Sequence, residues 1–307
     1  MNTTLYQQIQ QFYDASSSLW EDVWGEHMHH GYYGADGTEK KERRQAQIDL
    51  IEEVLKFALD EELEGEEETQ GEIFPTSPRP LVSLNSGCSD ILDVGCGIGG
   101  SSLYLAGRFG AKVTGITLSP VQAERAKQRA REFGLGNRTN FQVADALNMP
   151  FADNSFDLIW SLESGEHMPD KVKFLQECHR VLKPGGTMII VTWCHRPIDN
   201  FPLTVEERKH LEEIYRVYCL PYVISLPEYA EIARQLPLQN LRTADWSNAV
   251  APFWNMVIDS TFSLQALWGL LFSGWSTIQG ALSLGLMQRG YESGLIRFGL
   301  ICGQKES

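Results

Sequence analysis

The stretch Ile91–Gly100, ILDVGCGIGG, runs a strand-like apolar segment straight into Gly95, Gly97 and Gly99, and a helix-like SSLYLAGRF follows. Glycines at such a junction let the backbone turn sharply and let a nucleotide approach the main chain, with the N-terminus of the next helix facing it. Outward from this loop, DILDVG, AKVTGI, NFQVAD, FDLIWS and TMIIVTW read as strands, interleaved with the helices SSLYLAGRF, VQAERAKQRAREF and KVKFLQECHRVL. Farther on come helices at 204–218 and 227–235, the strand LRTADW and a closing strand LIRFGLICGQK. That order predicts an α/β chain built on a doubly wound, mostly parallel, seven-stranded sheet with helices on both faces.

The loop alone leaves the class open, because Gly95, Gly97 and Gly100 also satisfy the dinucleotide pattern GxGxxG of a nicotinamide enzyme. Three features bear on the choice. Asp93 stands two residues before the first glycine, where a carboxylate suits an ammonium group and would repel a pyrophosphate. The second strand ends in Gly115-Ile116-Thr117, without the acid that an NAD ribose usually demands. Ala144-Asp145-Ala146 follows the third strand, and Leu182-Lys183-Pro184-Gly185-Gly186 leads into the fifth. As a set these resemble class I S-adenosylmethionine-dependent methyltransferases of Rossmann-like fold.

Composition narrows the partners. The formal charge of −14 gives nothing basic to displace the counterions of a nucleic acid, so a small-molecule partner is expected. Six cysteines lie scattered without a CxxC pair, which indicates neither a zinc knuckle nor a disulfide framework. The N-terminal residues show neither signal-peptide nor transit-peptide character, so a cytoplasmic or mature plastid chain is expected. Four regions are expected: an N-terminal helical lid over 1–59, an acidic, proline-rich flexible connection over 60–89, the cofactor-binding core over 90–196, and a C-terminal half over 197–307 with a helical substrate cap and the last strands. Ser260–Gln288 contains no charged residue, and its Leu and Trp residues recur at helical spacing. Helices that cover a greasy pocket or rest on a membrane surface are expected there, rather than a spanning segment.

The tetrapeptide GEHM occurs twice, at Gly25–Met28 and Gly165–Met168, in flanks that do not match, so no repeat is inferred. His27, His29 and His30 sit among glycines rather than at i, i+4 on a helix, and no metal site is expected. Instead Tyr13, Trp20, Trp24, His29, His30, Tyr32 and Tyr33 are expected to close over the cofactor and the substrate, and His27 is the histidine least expected to react.

The flanks FYDASSSLWEDVWGEHMHHGYYG, ESGEHMPDKVKFLQECHRVLKPGG, TWCHRPID, VYCLPYVISLPEY, TADWSNAVAPFW and GYESGLIRFGLICG closely resemble the gamma-tocopherol methyltransferase family of cyanobacterial and plastid type, over nearly the whole chain except about residues 60 to 88. The resemblance implies methyl transfer from S-adenosylmethionine to the ring carbon of a phytyl-tailed chromanol, converting gamma- to alpha-tocopherol and delta- to beta-tocopherol, with possible peripheral membrane contact. Indole-alkaloid N-methyltransferases belong to the same lineage, which keeps an amine acceptor as the alternative.

For the cofactor, the resemblance implies Asp93, Gly95, Gly97 and Gly99 around the methionine moiety and the Leu118 backbone and Gln122 at the ribose. It places Asp145 and Ala146 at the adenine and adds Ser161 and Tyr13 to the set. A phenol must lose its proton before charge reaches the ring carbon, so a base is needed. His167 or Glu163 is expected to serve, with Glu166 orienting the histidine. Trp254 and Trp268 are expected to contact the lipophilic substrate.

Overall fold

The computed structural model describes residues 7, 9–11, 13, 14, 21, 25–59, 90–261 and 275–307. The acidic connection over 60–89, Trp20, Trp24 and Trp268 therefore lie outside the described residues.

Seven strands form one sheet in the order β3-β2-β1-β4-β5-β7-β6. They are β1 (Asp90–Val94), β2 (Lys112–Thr117), β3 (Thr139–Val143), β4 (Phe156–Leu162), β5 (Leu182–His195), β6 (Leu238–Asp245) and β7 (Ile296–Lys305). The first five pair in parallel, and β7 runs antiparallel between β5 and β6. Every strand segment read from the sequence appears in this sheet.

Central strands carry apolar side chains on both faces because both faces are covered by helices. Ile91 belongs to one apolar layer and Leu92 to the other; on β5, Ile189 and Val191 face one way and Met188 and Ile190 the other. The helices are α1 (Arg43–Leu59), α2 (Gly100–Phe109), α3 (Pro120–Glu132), α4 (Lys171–Val181), α5 (Val205–Val217) and α6 (Leu226–Arg234). Ser119 caps α3 by accepting from the Gln122 backbone N–H, and Thr204 and Ser225 close capping boxes with Glu207 and Glu228. The short α7 (Ser247–Val250) and α8 (Pro252–Thr261) precede α9 (Trp275–Glu292). Among the described residues no helix is long and apolar enough to cross a membrane.

Strand order reverses between β1 and its neighbours β2 and β4, which opens a crevice at the carboxyl ends of those strands. The loop after β1, the β2–α3 turn, the segment after β3 and the 3-10 turn Gly165–His167 after β4 all meet there.

Candidate active site

A cleft of about 920 Å³, its open mouth included, occupies this crevice. At its floor Gly95 adopts φ +86°, and a Cβ there would fall 2.2 Å from Cβ of Ser164, so only glycine lets β1 turn against the β4 loop. Gly97 has φ +51° and meets no other atom within 4 Å of a virtual Cβ, leaving open space against the main chain. Both glycines line the cleft. Gly99 does not, because its face packs on Phe141 and Ala126 instead.

Asp93 is 2% exposed and is hydrogen-bonded by Ser102, whose Oγ donates to Oδ2 at 2.6 Å and whose backbone also contributes. Burial pushes its carboxyl up to about 7. A carboxylate so placed is short of a cation. Across the cleft Leu118, Gln122, Asp145 and Ala146 line the wall, together with Thr117. The Thr117 hydroxyl donates to the Gln122 side-chain carbonyl at 2.8 Å, which fixes that amide. Asp145 Oδ1 accepts the Leu147 backbone N–H at 2.8 Å, shaping the turn after β3. Ser161 does not reach the wall: it is fully buried and bonded at 2.7 Å to the hydroxyl of Ser164, which does line the cleft. The signal for Ser164 was a small polar residue facing the glycine that must turn.

Described residues of the N-terminal part, Ile9 and Tyr13 among them, border this cleft. Asp14 Oδ1 accepts from Ser119 Oγ at 2.5 Å, and Glu21 takes both ends of the Arg125 guanidinium. Arg129 donates to the carbonyls of Glu26 and Ile98 at 2.8 and 3.0 Å, tying the first GEHM to the glycine loop. His27, Met28 and His29 line the cleft. His27, the histidine least expected to react, faces the cleft, and its Nδ1 is buried without a hydrogen-bond partner among the described residues. His30 does not line the cleft; its ring sits among Trp193, Phe253, Trp254, Tyr291 and Phe298.

Four expected lid or substrate contacts, His30 among them, thus lie off the cleft. Trp254 is fully buried in this aromatic cage and does not line the cleft. Tyr33 is 1% exposed and its backbone N–H bonds to the Ala249 carbonyl, while Tyr32 stacks edge-on against Trp246. Both tyrosines thus tie this segment to the C-terminal half, Tyr33 through its backbone and Tyr32 through its ring, and neither is among the described residues that line the cleft.

The second GEHM departs from expectation in one respect. Glu166 does not orient His167: its Oε2 accepts from Thr192 Oγ1 at 2.8 Å, it is 1% exposed, and burial raises its carboxyl to about 8. A residue one position before His167 on a tight turn points to the sheet rather than to the cleft. Tyr13 takes the role instead, with its hydroxyl 2.5 Å from His167 Nε2. His167 Nδ1 is sealed from solvent without a partner among the described residues, and burial lowers the ring to about 3, so it is neutral at physiological pH. Glu163 has φ +54° and both carboxylate oxygens engaged: Oε1 by the His30 backbone N–H at 2.7 Å, Oε2 by His30 Nδ1 at 2.7 Å and by Trp193 Nε1 at 3.0 Å. The cleft can therefore hold a small organic cation at Asp93 and present a neutral imidazole to a bound acid. Among the described residues no three His, Cys, Asp or Glu side chains gather to hold a metal ion.

Comparison with known proteins gives this arrangement its context. The family described as "Methyltransferase domain" matches residues 92–190. The chain is 48% identical over 296 residues to the "Probable tocopherol O-methyltransferase, chloroplastic" of Oryza sativa subsp. japonica, covering 95% of this chain and 76% of that one. It is 45% identical over 304 residues to the "Tocopherol O-methyltransferase, chloroplastic" of Arabidopsis thaliana, covering 97% and 81%. In fold it is similar to the geranyl diphosphate C-methyltransferase of Streptomyces coelicolor A3(2), solved with Mg2+, geranyl diphosphate and S-adenosyl-L-homocysteine, at TM-score 0.69 and 21% identity over 99% of this chain and 98% of that one.

Proposed function

This chain belongs to the tocopherol methyltransferase family of class I S-adenosylmethionine-dependent methyltransferases, and on that premise we propose that it methylates the chromanol ring of gamma-tocopherol, and of delta-tocopherol, to give alpha- and beta-tocopherol in vitamin E biosynthesis. The observation that carries this reading is a neutral, buried His167, paired with Tyr13 on the wall of the same cleft that buries Asp93.

The cleft suits the methyl donor. The buried, cation-poor carboxylate of Asp93 fits the ammonium of the methionine moiety, and the open face of Gly97 leaves room against the main chain. The Leu118 backbone and Gln122 fit the ribose, and Asp145 with Ala146 fits the adenine. Bound there, S-adenosylmethionine supplies an electrophilic methyl group on a sulfonium.

The chain's own residues do the rest. In the tautomer whose Nε2–H donates to the Tyr13 oxygen, the Nδ1 lone pair of His167 would accept the phenol proton, which raises electron density at the ortho ring carbon. After that carbon takes the methyl group, leaving a neutral thioether in place of the sulfonium, it releases its own hydrogen as a proton and the ring returns to an aromatic phenol. Glu163 is better suited to anchoring than to taking that proton, because its charge is already held by three donors. It closes the N-terminal strap and sets a negative field that raises the proton affinity of His167. The strap, with Met28 and His29 facing inward, excludes water from the reacting groups.

The names of the plant relatives place the methyl group on oxygen, whereas the reading here places it on carbon. Incubation with labelled S-adenosylmethionine and gamma-tocopherol, followed by NMR of the product, decides between them. A new ring methyl beside a free phenol supports the proposal; a phenyl methyl ether, or turnover only with an amine acceptor, overturns it. Plastid naming of those relatives and a phytyl-tailed substrate also support a plastid-type setting at a membrane surface.

A further inference from the structure

Behind the turn that carries His167 lies a buried lysine that the proposed chemistry does not use; burial lowers its ammonium to about 7. Lys171 is the first residue of α4 and is 2% exposed. Two effects oppose a cation there: loss of hydration, and the positive end of the helix macrodipole. What holds it is the preceding turn. Its Nζ donates to the carbonyl of Gly165 at 2.9 Å and to that of Glu166 at 3.0 Å, and it lies 4.9 Å from the centre of the Tyr222 ring. The Gly165 carbonyl also accepts from the Tyr229 hydroxyl at 3.2 Å.

These carbonyls belong to the 3-10 turn Gly165–His167. The Gly165 carbonyl also accepts the Met168 backbone N–H at 3.2 Å, and the same ammonium reaches on to the Glu166 carbonyl, so one side chain ties two successive peptide units of the turn together. On the sheet side of the turn Glu166 is fixed by Thr192, and on the cleft side the His167 ring meets Tyr13. The backbone leading to His167 is thus held from behind by Lys171, with Tyr229 sharing the Gly165 carbonyl.

We propose that Lys171 is a positioning residue for methyl transfer, its ammonium fixing the Gly165 and Glu166 carbonyls and, through them, the His167 ring on the cleft wall. This role rests on the reading of His167 as proton acceptor. A Met at 171 fills the same space but takes a donor from both carbonyls; Gly165 keeps the Met168 N–H and the Tyr229 hydroxyl, while the Glu166 carbonyl next to His167 loses the ammonium, so the turn relaxes there and the imidazole shifts. Arg keeps the charge and the donors.

The test uses the full chain as wild type, Lys171→Met, Lys171→Arg and His167→Ala. Each is measured for S-adenosylhomocysteine affinity by calorimetry, for single-turnover rate with S-adenosylmethionine and gamma-tocopherol, and for the 13C-labelled His167 ring signal by NMR. Lys171→Met is expected to keep cofactor affinity within about threefold, lose about tenfold or more in rate and displace the His167 signal. Lys171→Arg is expected to restore most of the rate and the native signal. A slow Lys171→Met with an unmoved His167 signal overturns the proposal, as does a loss of affinity in step with the rate. Should Lys171→Met not fold, a Lys171→Arg protein with a displaced signal and undiminished turnover overturns it. His167→Ala separates the two ideas: if it turns over normally the base reading fails, whereas a slow His167→Ala beside a wild-type Lys171→Met refutes the role of Lys171 alone.

Discussion

Glu163 grips His30 twice, accepting its backbone N–H and its Nδ1 at 2.7 Å each, and this pair joins the N-terminal strap to the strand end at the reacting side of the cleft. The pair is buried, with side-chain exposures of 0% for His30 and 4% for Glu163.

Glu163→Gln therefore turns an acceptor toward three donors into a group that carries its own donors. Removing one partner of a buried charge-assisted cluster costs about 3–5 kcal/mol. We expect the strap to loosen: cleavage by trypsin within the N-terminal segment speeds up, and the KM for S-adenosylmethionine rises together with a fall in kcat. Unchanged proteolysis and KM with only kcat reduced would return Glu163 to the role of base.

His167→Ala and Tyr13→Phe address the acceptor itself. The histidine variant is expected to lose about a hundredfold or more in kcat, and the tyrosine variant about tenfold, since the Tyr13 hydroxyl orients the ring without receiving the substrate proton. Cofactor affinity should stay within about threefold in His167→Ala, because Asp93, Gln122 and Asp145 remain. Steady-state kinetics and calorimetry read both quantities.

Asp93 gives a pH signature. Its carboxyl is raised to about 7 in the folded chain, above the ~3.9 of an exposed aspartate. Between these values the empty folded state holds a proton that the unfolded state has released, so this group's contribution to stability falls as pH rises through the window. Ligand binding has the opposite sign, because only the carboxylate receives an ammonium. Affinity for S-adenosylhomocysteine should rise with pH toward about 7 and then level off in the wild type, and be weak and nearly flat in Asp93→Asn. Isothermal titrations between about pH 5 and about pH 9 check this.

Two glycine-to-alanine changes should act in opposite directions. At Gly95 the added methyl meets Ser164 Cβ at 2.2 Å with φ +86°, so cofactor binding is lost and the thermal midpoint falls. Gly107 lies inside α2 with nothing within 4 Å, and alanine there should stabilise by about 0.5–1 kcal/mol at unchanged activity. Thermal melts of both variants supply the comparison, and a destabilised Gly107→Ala would contradict it.

The sheet was legible in the sequence because its strands alternate with helices at short spacing and because glycines crowd only one strand-to-helix junction, after β1. Asp93, Gly95, Gly97, Gln122 and Asp145 were legible for the same local reason: each stands within a few residues of a strand end, and strand ends of a parallel sheet share one edge. What sequence could not supply was which side of a turn a residue faces. Glu166 and His167 are adjacent, yet one bonds to Thr192 on β5 and the other to Tyr13, which lies 154 positions away.

The chain by itself thus determined the fold and the edge of the sheet at which the cleft lies, since these follow from periodicity and short-range motif spacing. Tertiary structure alone decided that Glu163 anchors His30, that Tyr13 pairs with His167, that Tyr32, Tyr33 and Trp254 pack away from the cleft, and that Lys171 closes the turn from behind. Those outcomes depend on which buried donor finds which acceptor across the fold, and a hydrogen bond between residues far apart in the chain leaves no local pattern to read.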